Sequence, residues 1–290
     1  MTTAVVLQER GHRVQVVAAA TGDGTTSAAA GAVWYPFRAD PPERVIGWAM
    51  RSKDWLTGLA DSTPEAGVDL VTTFEIVAST ERPWWAACAP DLELVARHLP
   101  DGSPYAWQFL APRIEPALHL AWLESQLRWP IERRRVVSLD AEPGDVVVNC
   151  TGLAARVLTG DRELQGLFGQ TVVVRPGAID IDTVVVDERE HERMFYSIPR
   201  RDTVVLGGCA DAVNDDYSLE PDADFTAEIL ERARLRGFEP GVVVRAKCGL
   251  RPYRTTVRLE RDDRIIHNYG HGGAGYTLAR GCAEEVAELV

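Results

Sequence analysis

IIHNYGHGGAGYTLARGCA, residues 265–283, begins with an apolar pair that runs into His267, Asn268 and Tyr269. Four glycines follow within six residues, at Gly270, Gly272, Gly273 and Gly275, and a helical pattern continues through Glu284, Glu285 and Leu289. The order predicts a strand, a tight turn and a helix N-terminus. Bare glycine backbone lets a flat or anionic group come close, and the positive end of a helix favours negative charge there. Residues 270–275 also match GxGxxG, the spacing of a dinucleotide fingerprint. That fingerprint needs a further strand with an acidic residue about 20 residues on, whereas 290 − 275 leaves fifteen. The stretch therefore reads as the last crossover of a sheet. A glycine turn that only packs a terminal helix is the plain alternative.

Outward from this stretch, composition bounds the partners. The chain has 290 residues, 46% of them hydrophobic, enough for a large core in one large or two interleaved domains. A formal charge of −12 argues against nucleic acid and anionic membrane surfaces, which both require basic patches. No apolar run approaches ~18 residues, and Gln8, Glu9 and Arg10 interrupt the first ten, so neither a membrane span nor a signal peptide is expected. Cys88, Cys150, Cys209, Cys248 and Cys282 form no CxxC pair, which suits buried thiols in a reducing cytoplasm.

Residues 1–10 read as a helix closed by Gly11, and 12–17 alternate into a strand. A doubly wound nucleotide fold opens with a strand and a Gly-rich phosphate loop before such a helix; neither precedes it here. Residues 21–27 are hydroxyls and glycines, suited to phosphate oxygens or to a surface turn, and small residues 28–32 lead into Trp34-Tyr35-Pro36. Helices are predicted over 41–60, with Trp48, Trp55, Leu56 and Leu59 on one stripe, over 112–127, starting in Pro112-Arg113-Ile114-Glu115-Pro116, and over 225–237. Strands are predicted over 68–78, 136–139 and 144–152, with Thr151 at a carboxyl edge where ligands sit, or in a simple turn. Trp84, Trp85, Leu92 and Leu94 are expected to pack together, and Arg133-Arg134-Arg135 to be a solvated edge. Between 169 and 208 short apolar runs at 8–12-residue spacing predict an antiparallel meander. A last long strand, 242–259, contains Gly249-Leu250-Arg251-Pro252.

Over nearly the whole chain, the 265–283 run, Gly249-Leu250-Arg251-Pro252 and the Ala30-Gly31 region with Trp34-Tyr35-Pro36 resemble the D-amino-acid oxidase family of flavoenzymes. The resemblance implies an α/β fold: a doubly wound, Rossmann-like FAD-binding domain built from 1–40, 112–153 and 262–290, and an α+β substrate-binding domain with a largely antiparallel sheet from 41–111 and 154–261. It implies FAD contacts at Thr25, Thr26, Ala30, Gly31, Val136, Thr151, Gly272, Gly273, Ala274, Gly275, Tyr276 and Thr277. It also places the substrate at Arg251, Tyr196, Gly273 and Tyr35. Holding a carboxylate calls for a planar bidentate donor, which suits arginine better than lysine. Arg251 matches the family's carboxylate-binding arginine, whereas Arg254 and Arg258 read as strand-edge arginines paired to acids. Tyr196 matches a supporting tyrosine, and the Gly273 carbonyl would accept from the substrate amine.

The implied reaction is oxidative deamination of a D-amino acid to a 2-oxo acid, ammonia and hydrogen peroxide. A neutral amine lone pair drives hydride from Cα to flavin N5, with no side-chain base, and oxygen reoxidises the flavin. The resemblance also marks two departures: the family's first strand and its GxGxxG loop do not precede Thr2-Thr3-Ala4-Val5-Val6-Leu7, and Ala18-Ala19-Ala20 stands where an acidic ribose ligand is expected. A non-catalytic remnant unable to retain FAD is therefore one alternative. D-aspartate oxidase is another, if Arg200 or Arg201 reaches a side-chain carboxylate, and glycine or sarcosine oxidation a third. No metal is expected, because His267 and His271 flank a turn instead of sharing a helical face. A homodimer is left open.

Overall fold

The computed structural model describes residues 1–37, 39–96, 105–190, 193–212 and 219–290. In it the glycine-rich stretch forms strand Ile265–His271 and helix Gly275–Leu289. The strand pairs in parallel with Val147–Asn149 and antiparallel with the end of Val243–Asp262. Two units are distinguished: the first comprises Met1–Asp69, Ile114–Gly166 and Arg251–Val290, the second Leu70–Arg113 and Leu167–Leu250.

In the first unit, helix Gly275–Leu289 packs against helices Thr2–Glu9 and Pro42–Ser62. Trp48, Leu56 and Leu59 of the predicted stripe are buried, as are Leu278, Cys282 and Val286 of the last helix and Val5 and Val6 of the first, whereas Trp55 is half-buried and meets the rings of His119 and Trp122. Each such side chain contributes about 1.5–3 kcal/mol on burial. Small residues set how close the helices come. Ser52 Oγ accepts from the backbone N–H of Arg280 at 3.1 Å and Gly281 at 3.0 Å. A Cβ at Gly281 would lie 2.7 Å from the Trp48 carbonyl carbon and closer still to its Cα and oxygen. Backbone cannot yield as a side-chain tip can, so Gly281→Ala should cost about 1–3 kcal/mol through forced separation, more than the ~0.5–1 kcal/mol gained from helix propensity. Thermal unfolding should show a lower Tm; an unchanged or raised Tm would contradict this contact.

The first helix ends at Gly11 as predicted, but the strand that follows is only Val17–Ala18. It pairs in parallel with Glu132–Arg133. Residues 136–139 form no strand, and Val137 is 82% exposed. The backbone beside them is held by a side chain instead: Arg264 donates to the carbonyls of Asp140 (2.9 Å), Glu142 (2.7 Å) and Gly144 (2.9 Å). Arg134, from the basic run, is taken up by Glu132 and Glu142.

The unit boundaries also differ from the expected domain limits. Residues 41–69 fall in the first unit because helix Pro42–Ser62 packs on Gly275–Leu289, and 251–261 do so because they pair with Ile265–His271. Residues 154–166 belong there too.

In the second unit the strand order is Glu93–Ala96, Tyr105–Ile114, Val68–Val77, Thr183–Asp187, Phe195–Pro199, Val204–Gly207, Gln165–Val174, then the start of Val243–Asp262. Pairing is antiparallel through the predicted meander from Thr183–Asp187 to Val204–Gly207, and Gln165–Val174 returns beside the last of these. Val68–Val77 and Thr183–Asp187 run parallel. Helix Ala223–Leu235, capped by the Asp222 carboxylate on Phe225 N–H at 2.8 Å, covers a core that includes Ile76, Val172, Val185, Phe195, Leu206 and Ile229. Trp85 and Leu92 are buried as expected, but Trp84 and Leu94 are 45% and 40% exposed. Leu94 lies on a terminal strand with one neighbour, so part of its surface faces outward.

Candidate functional site

The glycine stretch builds the site from backbone. The strand runs through His271, two residues further than the first glycine suggests, and the turn is made at Gly272. Gly270 has φ +90, a left-handed value disfavoured for other residues, and a Cβ there would lie 2.8 Å from Arg254 Cβ. The Gly272 N–H donates to the Pro252 carbonyl at 2.9 Å, and Tyr253 sits opposite His271. Half-buried Arg251 lies in the chain one residue before Pro252, whose carbonyl takes this hydrogen bond from the glycine loop.

The helix start is tied to the small-residue segment. Thr277, 1% exposed, accepts from the Tyr35 N–H at 3.1 Å and donates to the Tyr35 carbonyl at 2.9 Å. The Tyr276 hydroxyl donates to the Ser27 carbonyl at 3.1 Å. Thr25 donates its hydroxyl to Gly22 O at 2.8 Å, Thr26 opens a short helix, and Ala30 and Gly31 are half-buried. These hydrogen bonds join Tyr35, Gly272, Tyr276 and Thr277 to the segments that carry Thr25–Gly31 and Arg251, with Gly273, Ala274 and Gly275 between them in the chain.

Phe37 was not singled out by sequence reasoning and belongs here. A Cβ at Gly273 would lie 3.0 Å from Phe37 Cε1 and closer still to Cδ1, so the ring covers one side of this glycine. Its position two residues after Tyr35 was the available signal. Val136 lies half-buried in the non-strand segment, and no hydrogen bond described here joins it to the loop. Thr151 gives its N–H and hydroxyl to Asn149 Oδ1 at 3.2 and 2.7 Å, and Asn149 Nδ2 meets His267 Nδ1 at 3.3 Å. Tyr196 belongs to the second unit, where it pairs with Gly207; a Cβ on Gly207 would lie 2.6 Å from its ring Cε2. Arg200 is 7% exposed in the same unit, and Arg201 is open to solvent.

His271 carries an unusual feature. Its Nε2 is buried with no hydrogen-bond partner among the described residues, and burial lowers the imidazole pKa to about 4, so the ring is neutral at pH 7. A buried unsatisfied ring nitrogen normally finds a partner. Next to it, Gly273 and Gly275 are exposed, and a Cβ at Gly275 would meet nothing within 4 Å. Open backbone beside an unsatisfied imidazole fits a flat, heteroatom-rich group such as a flavin. His267 and His271 do not flank a turn: both lie in one extended strand, four residues and roughly 13 Å apart. Among the described residues no group of three His, Cys, Asp or Glu is placed as metal ligands are, and no helix is long and apolar enough to cross a membrane.

A mixed α/β chain with a parallel strand pair feeding a glycine turn, and an arginine-bearing strand bonded to that turn, has the features of a flavin-dependent oxidoreductase. The sequence profile of the FAD dependent oxidoreductase family matches residues 1–289. A D-amino-acid oxidase from Rubrobacter xylanophilus is 39% identical over 308 residues, covering 100% of this chain and 92% of that protein. A D-aspartate oxidase from Homo sapiens is 31% identical over 300 residues, covering 93% and 84%. The glycine oxidase structure from Geobacillus kaustophilus superimposes with a TM-score of 0.80 at 18% identity, covering 99% of this chain and 90% of that one. The chain belongs to the FAD dependent oxidoreductase family.

Proposed function

We propose that this chain oxidises D-amino acids to 2-oxo acids, ammonia and hydrogen peroxide. The observation that carries the reading is the Gly272–Pro252 hydrogen bond, which sets Arg251 beside the glycine loop. FAD, when bound, supplies two-electron redox chemistry, taking up a hydride and returning the electrons to oxygen. The protein binds and orients. The Arg251 guanidinium holds the substrate carboxylate through two parallel N–H bonds. The Gly273 carbonyl accepts from the substrate amine, and Tyr35 and Phe37 border that position. Backbone of Gly272, Ala274 and Gly275 approaches the cofactor, with Tyr276 and Thr277 fixing the helix start. The assignments of Tyr196 to the carboxylate, and of Thr25, Thr26, Ala30, Gly31, Val136 and Thr151 to FAD, rest on the sequence resemblance.

The imino acid leaves for water, where hydrolysis gives the 2-oxo acid and ammonia without help from a side-chain base. Five cysteines, none of them in a disulfide, support a reducing cytoplasm as the site of action, and light scattering would decide between monomer and homodimer. Purified protein supplied with D-alanine should release pyruvate, ammonia and hydrogen peroxide in equal amounts, and none from L-alanine. Preference for D-aspartate would move the assignment to D-aspartate oxidation. Protein that carries no flavin and forms no peroxide would instead be a non-catalytic remnant.

A further inference from the structure

We propose that Asp161 is a positioning residue that, through Arg254 and Tyr269, pins a strand bulge and thereby holds Arg251 at the glycine loop. The proposal rests on the functional reading of Arg251 and adds a group outside the site itself.

The bulge is read from the strand register. Tyr253 lies opposite His271 and Arg258 opposite Tyr269. One strand therefore advances 258 − 253 = 5 residues while its partner advances 271 − 269 = 2. Residues 254–257 face Gly270 alone and have no regular ladder, and bulges of this kind bend a strand and re-aim its side chains. Arg251 and Pro252 lie just before this bend, so the shape of the bulge sets where they meet Gly272.

One carboxylate oxygen is bound from both strands. Asp161 Oδ2 accepts from Arg254 Nε at 3.0 Å, inside the bulge, and from the Tyr269 hydroxyl at 2.8 Å, on the partner strand. Its Oδ1 accepts from the Glu163 N–H at 3.0 Å. Arg254 spends its remaining nitrogens on the Thr256 carbonyl at 2.8 Å and on Glu163 at 3.1 Å. Arg258 donates to the Tyr269 hydroxyl at 2.8 Å and to Glu260 at 2.7 Å. The Asp161 side chain is 6% exposed, and Tyr269 is 1% exposed. Burial opposes the charge on Asp161, yet the bonds from Tyr269, the Glu163 N–H and Arg254 outweigh it and hold the carboxyl below its usual range. The Arg254 stem passes directly under Gly270, so the pinned arginine and the start of the glycine turn are packed together.

The test is a double-mutant cycle on flavin-loaded protein: Asp161→Asn alone, Arg251→Ala alone, and both. Steady-state kinetics with D-alanine are read beside the affinity for benzoate, a carboxylate with no Cα–H to oxidise. Asp161→Asn should lower kcat/KM roughly ten- to hundredfold, chiefly through KM, and should weaken benzoate to a similar degree. In the Arg251→Ala background the same change should add almost nothing, because its effect travels through the arginine. Unchanged kinetics for Asp161→Asn, or an equal loss in both backgrounds, would reject the positioning role. Tyr269→Phe gives the same comparison with a smaller loss of about two- to tenfold, and decides the matter if Asp161→Asn does not fold. Should neither variant fold, the network is a folding element and the proposal fails. Wild-type protein that holds flavin but ignores both D-alanine and benzoate would overturn the functional reading itself, and is distinguished before any variant is made.

Discussion

Replacing Arg251 with alanine is expected to lower kcat/KM for D-alanine by about 2–5 kcal/mol, or roughly 30- to 5,000-fold. The size follows from what remains. A substrate carboxylate leaves water to enter the site, and without the guanidinium it has lost hydration and gained no charged partner. The carboxylate is bound in much the same way before and during reaction, so most of the loss should be in KM and less in kcat. Arg251→Lys should recover only part of it, because a lysine ammonium restores charge without the planar fork. Kinetics normalised to flavin content check both variants. Wild-type values for Arg251→Ala would remove this residue from the site.

Asp187→Ala is expected to unfold the second unit far more readily than any surface change. The carboxylate is 1% exposed and lies between two guanidiniums: Arg189 at 2.8 Å and Arg236 at 2.7 Å. Arg236 also lies over the Phe195 ring, 5.2 Å from its centroid, inside the apolar core of the unit. Removing one member of a buried ion pair leaves the other charge uncompensated, which costs about 3–5 kcal/mol. That is a large part of the ~5–15 kcal/mol by which domains are stable. Burial disfavours the Asp187 charge, but Arg189 and Arg236 more than offset this, so its folded pKa is lowered. The unfolded value is near ~3.9. A lowered folded pKa means that the stabilisation is fully present above the unfolded value and is lost as pH falls through the folded value. Wild-type protein should therefore lose stability on that acid limb, and Asp187→Asn should flatten the slope while lowering stability at pH 7. Urea unfolding at several pH values checks this. A loss under ~1 kcal/mol at pH 7 would show that the pair is not stabilising as described.

The local parts of the fold were legible. Gly11 ends the first helix, Trp48, Leu56 and Leu59 of the predicted stripe are buried, and Arg254 and Arg258 are paired with acids, all from spacing or residue type read over short windows. The non-local parts were not. Strand 136–139 looked sound by propensity, but the chain there is governed by Arg264, more than a hundred residues later. The weight of Asp161 was hidden for the same reason: its partners Arg254 and Tyr269 lie 93 and 108 residues away, and the bulge that matters is a register shift, which apolar patterning does not encode. Phe37 carries no motif or spacing in the sequence that ties it to residues 270–275. Only its approach to Gly273 in space shows that it borders the loop.

The most direct measurement is anaerobic mixing of flavin-loaded protein with D-alanine and, separately, with L-alanine, followed by flavin absorbance. The D-enantiomer should bleach the visible flavin band and the L-enantiomer should leave it intact. A band that survives D-alanine and other D-amino acids, or that bleaches equally with both hands, would contradict the account.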